Sequence, residues 1–153
     1  MTSEKKFCTV VTKEQKVVYI EGFSSVSKFE NGFAILAKEC EDLKSKKLFG
    51  YVSDDGTVIT KKLYSKARPF KGKYAVVGIN GRENVIDCFG FELFSWNFEK
   101  VVPFINDTFI VSYVTSFEPK VCHWGLIDRV GNVILKPQYS SKLAVIAEYK
   151  KLI

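Results

Sequence analysis

The chain has 153 residues, 46% hydrophobic and 26% charged, which suits one globular domain with a real core. No run of about 18 apolar residues is present, so no helical membrane span is expected. The net charge of +6 is uneven: residues 1–47 sum to +2, 48–82 to +5, 83–121 to −4 and 122–153 to +3, which argues against a cationic protein that coats nucleic acid.

Thirteen Phe, seven Tyr and two Trp against one Met favour strands over helices. The N-terminus, MTSEKKFCTVV, has neither an apolar core region nor a small-residue cleavage site. No secretory signal is expected there, and the cytoplasm is the expected location. The four cysteines, at 8, 40, 88 and 122, include no CxxC pair and are expected as free thiols in or near the core.

In chain order, Val10–Phe23 carries two strand-like runs around Gln15, and Phe33–Ala37 is a further strand. Lys38–Lys47, KECEDLKSKK, is polar and reads as an insertion. Gly50–Tyr64, GYVSDDGTVITKKLY, places a strand, a tight turn closed by Gly56 and a short β-branched strand, Thr57–Thr60. Tyr74–Ile79 is the next strand. The Asn80-Gly81 pair that follows is a strong type I′ hairpin signal. Asn84–Phe98, with Gly90 in its turn, repeats the pattern, and Thr108–Val114 follows it. Gly125–Tyr139, GLIDRVGNVILKPQY, repeats it again, with Gly131 in the turn and a second strand, Asn132–Leu135, expected to stop at Pro137. Leu143–Glu148 is expected as a last strand.

These segments are copies of one another. Gly125–Tyr139 lies on Gly50–Tyr64 at an offset of 75, matching Gly125 to Gly50, Gly131 to Gly56, Val133-Ile134 to Val58-Ile59 and Tyr139 to Tyr64. Offsets of 34 and 41 bring in Asn84–Phe98 and Val10–Phe23, and Lys28–Leu36 lies on Pro69–Val77. The expected fold is therefore all-β: one domain, 1–153, of four tandem three-stranded repeats. The repeats run over approximately 7–47, 48–82, 83–121 and 122–153, with about twelve short antiparallel strands in a partial propeller, roll or open spiral. An open array leaves edge strands at its ends, and the C-terminal EYKKLI is a candidate to cover one of them or to pair with a second chain.

The pattern resembles the WG-repeat (KWG-repeat) proteins. Trp124-Gly125, Asp128, Gly131, Val133-Ile134 and Pro137-Gln138-Tyr139 carry the resemblance most closely. Phe49-Gly50, Gly56, Val58-Ile59, Tyr64 and Phe70-Lys71-Gly72 follow it, and Phe29–Ala34 matches its second half. The third repeat departs, with Asn84 for the WG glycine and Trp96-Asn97-Phe98 for the Pro-x-Tyr step. The resemblance implies a β-repeat array without catalytic activity of its own, and it carries over no catalytic or binding residue. Trp124, Phe49, Tyr64, Phe98 and Tyr139 are expected as core plugs.

Catalytic constellations are scarce. His123 is the single histidine, and Cys122 beside it should point to the opposite face of a strand. Neither a phosphate-binding GxxxxGK[ST] nor a helix-opening GxGxxG is present. Asp54-Asp55 sit in a hairpin tip, where local backbone hydrogen bonds account for them better than a metal does. No metal and no cofactor is expected.

The sharpest surface feature is KKLYSKARPFKGK, residues 61–73, with Lys61, Lys62, Lys66, Arg68, Lys71 and Lys73 and no acid. With Tyr64 and Phe70 interleaved it can track a phosphate backbone and stack bases. If those rings belong to the repeat core, the cations instead solvate a connection or meet an acidic protein surface. The favoured expectation is a non-enzymatic protein-binding module, a small inhibitor or adaptor acting through the surface of the array. Its partner is another protein, suited by an acidic surface, with no membrane. Nucleic-acid binding through 61–73 is the alternative, and an enzyme built on a cleft joining His123, a cysteine and an acid ranks last. Oligomeric state is left open.

Overall fold

A computed structural model describes residues 7–39 and 46–153. Cys40 and most of the expected insertion at 38–47 lie outside the described residues. The chain falls into two compact units, Met1–Ile79 with Ile86–Phe91, and Asn80–Val85 with Glu92–Ile153.

The first unit carries β1 (Phe7–Val11), β2 (Val17–Glu21), β3 (Ser25–Val26), β4 (Phe33–Glu39), β5 (Lys47–Ser53), β6 (Lys66–Ala67) and β7 (Ala75–Ile79). β1 and β2 form a two-stranded sheet, and β3-β4-β5 form a three-stranded one. β6 and β7 lie in a sheet of order β6-β7-β8, where β8 is Arg82–Ile86. The turn before β8 has Asn80 at φ 52° and Gly81 at φ 76°, the two positive values a type I′ hairpin requires. The second unit adds β9 (Lys100–Phe104), β10 (Thr108–Phe117), β11 (Lys120–Asp128), β12 (Val133–Tyr139) and one helix, α1 (Lys142–Lys150). Its sheet runs β12-β11-β10-β9, antiparallel throughout, as are the β1-β2, β3-β4-β5 and β6-β7 pairings. The all-β fold with twelve short strands is as the sequence predicts.

The fourfold repeat is visible in the hydrogen bonds. The N–H groups of Gln15, Gly56, Gly90 and Gly131 donate to the carbonyls of Thr12, Ser53, Asp87 and Asp128 at 2.9–3.0 Å. Those four residues in turn donate to Lys16, Thr57, Phe91 and Asn132 at 2.8–3.0 Å. This is a three-residue hairpin loop whose last residue sits at positive φ: 62° for Gln15 and 90°, 84° and 92° for the glycines. The two-residue turns into the third strands also recur, at Glu30–Phe33, Lys71–Tyr74 and Ile105–Thr108. The third strand of one repeat then pairs with the first of the next, as in the seven-residue ladder from Phe33↔Ser53 to Glu39↔Lys47.

Three expectations need correction. Leu143–Glu148 is helix, not strand: Ser141 caps α1 by accepting from the Ala144 N–H at 3.1 Å, and Val145 and Tyr149, one turn apart, are its buried positions. β12 continues through Pro137, because it is the edge strand of its sheet, where a residue lacking N–H interrupts no ladder. Thr57–Thr60 forms no strand of its own and contributes a single bridge, Val52↔Val58.

Each unit holds an apolar cluster among its described residues. Cys8, Val10, Ile20, Phe23, Ala34, Leu36 and Val52 bury one another in the first unit. In the second unit Ile110 and Leu126 pack against Val145 and Tyr149 of α1, with Trp124, Leu135 and Tyr139 at the margin.

Candidate functional site

All six basic side chains of residues 61–73 are exposed. Tyr64 and Phe70 between them are 2% and 1% exposed, so neither ring is open for a base to stack on. The local structure explains this division. Tyr64 exchanges backbone hydrogen bonds with Phe49 at 2.9 and 2.8 Å, which turns its ring inward. Phe70 stacks on Phe33 with 4.1 Å between centroids and meets Tyr51 edge-on at 5.3 Å. The Lys62 ammonium lies 5.7 Å from the centroid of Tyr64 and that of Lys73 lies 6.0 Å from the centroid of Tyr74. Lys66 opens β6, and Arg68 is held by its backbone: its N–H donates to Val76, and its carbonyl accepts from the Tyr51 hydroxyl at 2.7 Å. Burial pushes the Tyr51 phenol up from its ordinary value, which keeps it a donor in this bond.

A cavity of about 160 Å³ opens where this segment turns. Phe33, Ile35, Tyr51, Pro69 and Phe70 give it an apolar wall, while Ser27, Lys28 and Glu30 supply its polar lining. Lys28 and Glu30 pair at 3.6 Å, both substantially exposed. The amide of Asn31, at φ 54° in the adjoining turn, donates to the Phe70 carbonyl at 2.6 Å and fixes the wall from behind. Sequence reasoning did not find this cavity. The alternation Phe33, Ile35 in β4 is a visible signal of one shared face, but the approach of Pro69-Phe70 comes from chain folding.

Among the described residues, Cys122 and its neighbour His123 have separate partners. Cys8, Cys88 and Cys122 are free thiols, Cys8 buried and the other two half-buried. Desolvation pushes the Cys8 thiol up. The Cys122 thiol donates to Glu99 at 3.1 Å, and that bond, with burial adding to it, raises its pKa as well. Lys120 reaches the same carboxylate and holds Glu99 below the usual carboxylate range. His123 instead pairs its Nδ1 with the Thr115 hydroxyl at 2.7 Å, consistent with alternation along β11. The acids of the Asp54-Asp55 tip are accounted for locally. Asp55 bonds the Ser53 hydroxyl and accepts from the Thr57 N–H at 2.9 Å, which holds its pKa at about 2.

The positions that define the repeat have a common geometry. Phe49↔Tyr64, Glu83↔Phe98 and Trp124↔Tyr139 are paired across the first and second segments of successive repeats. Tyr64 and Phe98 are core residues as expected, whereas Phe49, Trp124 and Tyr139 are half-buried. The glycines next in line are crossed closely by the returning segment. A Cβ on Gly50 would stand 2.8 Å from the Thr60 hydroxyl, and one on Gly125 would stand 2.6 Å from the Leu135 carbonyl oxygen. Asn84, in the third repeat, binds the crossing backbone instead: its amide donates to the Phe94 carbonyl at 2.6 Å and accepts from the Phe94 N–H at 3.1 Å.

Searches of the curated proteins and of the solved structures return no significant match. The family model of the WG containing repeat matches residues 49–82 and 124–141. These stretches begin at Phe49 and Trp124, the equivalent positions just described, so the second and fourth repeats match the WG containing repeat.

Proposed function

We propose that this chain is a non-enzymatic protein-binding module, an adaptor or inhibitor, whose segment Lys61–Lys73 meets an acidic protein surface. The observation that carries this reading is the division within the segment: its cations are exposed and its Tyr64 and Phe70 rings are buried. Charge without open rings suits carboxylates better than single-stranded nucleic acid, which is gripped by stacking as well as by phosphate contacts. Lysine outnumbers arginine five to one here, and that favours general electrostatic attraction over bidentate base reading. The adjoining apolar cavity supports a partner that inserts one aliphatic or aromatic side chain beside its acids.

The test is a comparative capture. Tagged chain and a Lys61→Glu, Lys66→Glu, Arg68→Glu variant are each incubated with host lysate, with and without nuclease. The expected result is a discrete protein retained by the unaltered chain after nuclease and lost by the variant. Retention of mostly nucleic acid, with a steep fall of affinity in salt, would replace this reading with the phosphate-binding one. Protein capture that the variant leaves intact would move the site away from this segment.

A further inference from the structure

The cavity beside residues 61–73 has a wall that is fixed from several sides. Phe33 and Ile35, two apart on β4, share one face of that strand. Ile35 pairs across the ladder with Tyr51 of β5, which lines the same cavity. Pro69-Phe70 completes the apolar wall and is tied to that sheet around both residues. The Tyr51 hydroxyl donates to the Arg68 carbonyl at 2.7 Å, and the Asn31 amide donates to the Phe70 carbonyl at 2.6 Å. The rings hold one another: Phe33 stacks on Phe70 at 4.1 Å, and Tyr51 meets Phe70 edge-on at 5.3 Å. A wall held in this way has little freedom left to lose when something binds to it.

Size and charge narrow the occupant. The volume of about 160 Å³ is well below the roughly 300–1,000 Å³ of small-molecule and cofactor pockets. It is close to the about 150 Å³ of an apolar void that takes up benzene. There is room for one six-membered ring. Three aromatic side chains in the wall favour a ring over an aliphatic group, because ring pairs gain more than their buried area alone. Lys28 and Glu30 in the lining pair with each other at 3.6 Å, so the one acid there is already matched. The residues on either side of Pro69-Phe70 are Arg68 and Lys71, both exposed cations, and no acid lies between Lys61 and Lys73. Each is within two residues of Phe70, so its Cα stands within about 7.6 Å of the Phe70 Cα. Carboxylates beside an inserted ring therefore come within reach of these cations.

We infer that the cavity receives the ring of a phenylalanine in a linear acidic segment of the partner, whose carboxylates, close to the ring in sequence, face Arg68 and Lys71. The inference rests on the reading that residues 61–73 meet an acidic protein surface, and it adds the anchor. Charge draws the segment in, and the ring fixes its register. One ring and a few screened charge contacts give the isolated segment a dissociation constant of roughly 0.1–1 mM.

The test titrates three capped pentapeptides into the full chain and follows its backbone amides by NMR. The first peptide has phenylalanine between two pairs of acids. The second has alanine in place of the phenylalanine, and the third has amides in place of the acids. The first is expected to shift the amides of Phe33, Ile35 and Phe70, and either change to weaken binding at least about tenfold. Ile35→Trp, which fills the cavity, should weaken the first peptide equally and leave the alanine peptide unchanged. Circular dichroism checks that this variant folds; if it does not, the peptide series and the map of shifted amides decide. Equal binding of the phenylalanine and alanine peptides, both lost in the Lys61→Glu, Lys66→Glu, Arg68→Glu variant, would overturn the anchor and leave the acidic-surface reading standing. Equal binding of the amide peptide would overturn the acidic flank. Binding of none of the three, or shifts confined to other residues, would overturn the whole inference, while the lysate capture separately decides the reading beneath it.

Discussion

Gly125 and Leu135 stand so close that a Cβ on the glycine would lie 2.6 Å from the leucine's carbonyl oxygen and 2.9 Å from the nitrogen of Pro137. The returning segment passes over the glycine with backbone, which cannot rotate aside as a side chain can. Gly125→Ala is therefore expected to destabilise the chain by about 1–3 kcal/mol, the range for overpacking. Urea denaturation of the two proteins measures this. A loss under about 0.5 kcal/mol would show that the crossing gives way without strain.

The third repeat solves the same crossing differently, and the consequence runs against family pattern. Asn84 is fully buried and makes three hydrogen bonds: two with the backbone of Phe94 and one from the Val85 N–H at 2.8 Å. Asn84→Gly restores the WG-type glycine but strips those partners from the Phe94 backbone. It is expected to cost about 1–3 kcal/mol, the penalty for leaving buried polar groups unpaired. The same denaturation series reads it, and a stabilised Asn84→Gly variant would refute the account.

Much of this was legible in the sequence because glycine positions and aromatic positions are tied to backbone geometry. Gly56, Gly90 and Gly131 mark the turn, and the offsets they define place even Gln15 correctly at positive φ. A last strand at Leu143–Glu148 has neither register nor local signals behind it, since the offset of 75 puts the counterpart of Tyr74 at Tyr149. Ser141 is a good helix cap, Ala144 and Ala147 are good helix formers, and Val145 and Tyr149 are four apart, all visible in the chain. Whether Pro137 ends a strand depends on whether that strand lies at a sheet edge, a fact of topology and not of sequence. The six cations were placed correctly on the surface. The cavity lined by Phe33, Tyr51 and Phe70 was not legible, since it depends on three segments meeting.

The turn position itself gives a prediction in both directions. Gln15 holds φ 62°, a left-handed conformation that costs a residue with a Cβ roughly 1–2 kcal/mol. Gln15→Gly is expected to recover up to about 1 kcal/mol, the greater freedom of glycine in the unfolded chain offsetting the rest. Gly90→Ala should do far worse than lose the same amount, because its Cβ would stand 2.0 Å from the Ile59 carbonyl oxygen. Thermal melts of both variants measure the pair. Equal and opposite shifts would mean that backbone conformation alone decides the position.

Acid stability should carry the imprint of Asp55. Its pKa is lowered to about 2, first by the Ser53 hydroxyl and then by the Thr57 bonds, against about 3.9 in an unfolded chain. A depressed carboxylate stabilises the fold fully above the unfolded value, and that contribution is lost as pH falls from about 4 through about 2. Asp55→Asn is expected to show a shallower loss of stability across this window and no change of slope above pH 5, well clear of both pKa values. Denaturation midpoints from pH 6 to pH 2 test it, and parallel curves for the two proteins would remove Asp55 from the account.

Val11 and Val52 occupy one repeat position in two environments, so the same truncation separates sequence from context. Val52 is 0% exposed and packed in the cluster with Cys8, Val10 and Leu36, whereas Val11 is 58% exposed. Val52→Ala removes buried methyl groups and leaves a void, which is expected to cost about 2 kcal/mol. Val11→Ala should change stability by no more than about 0.5 kcal/mol, as surface substitutions do. A difference of this size between residues that align by an offset of 41 would show that what surrounds a repeat, and not the repeat's own sequence, decides which of its positions are core. Comparable losses at both sites would mean that Val11 is packed in the folded chain as closely as Val52 is.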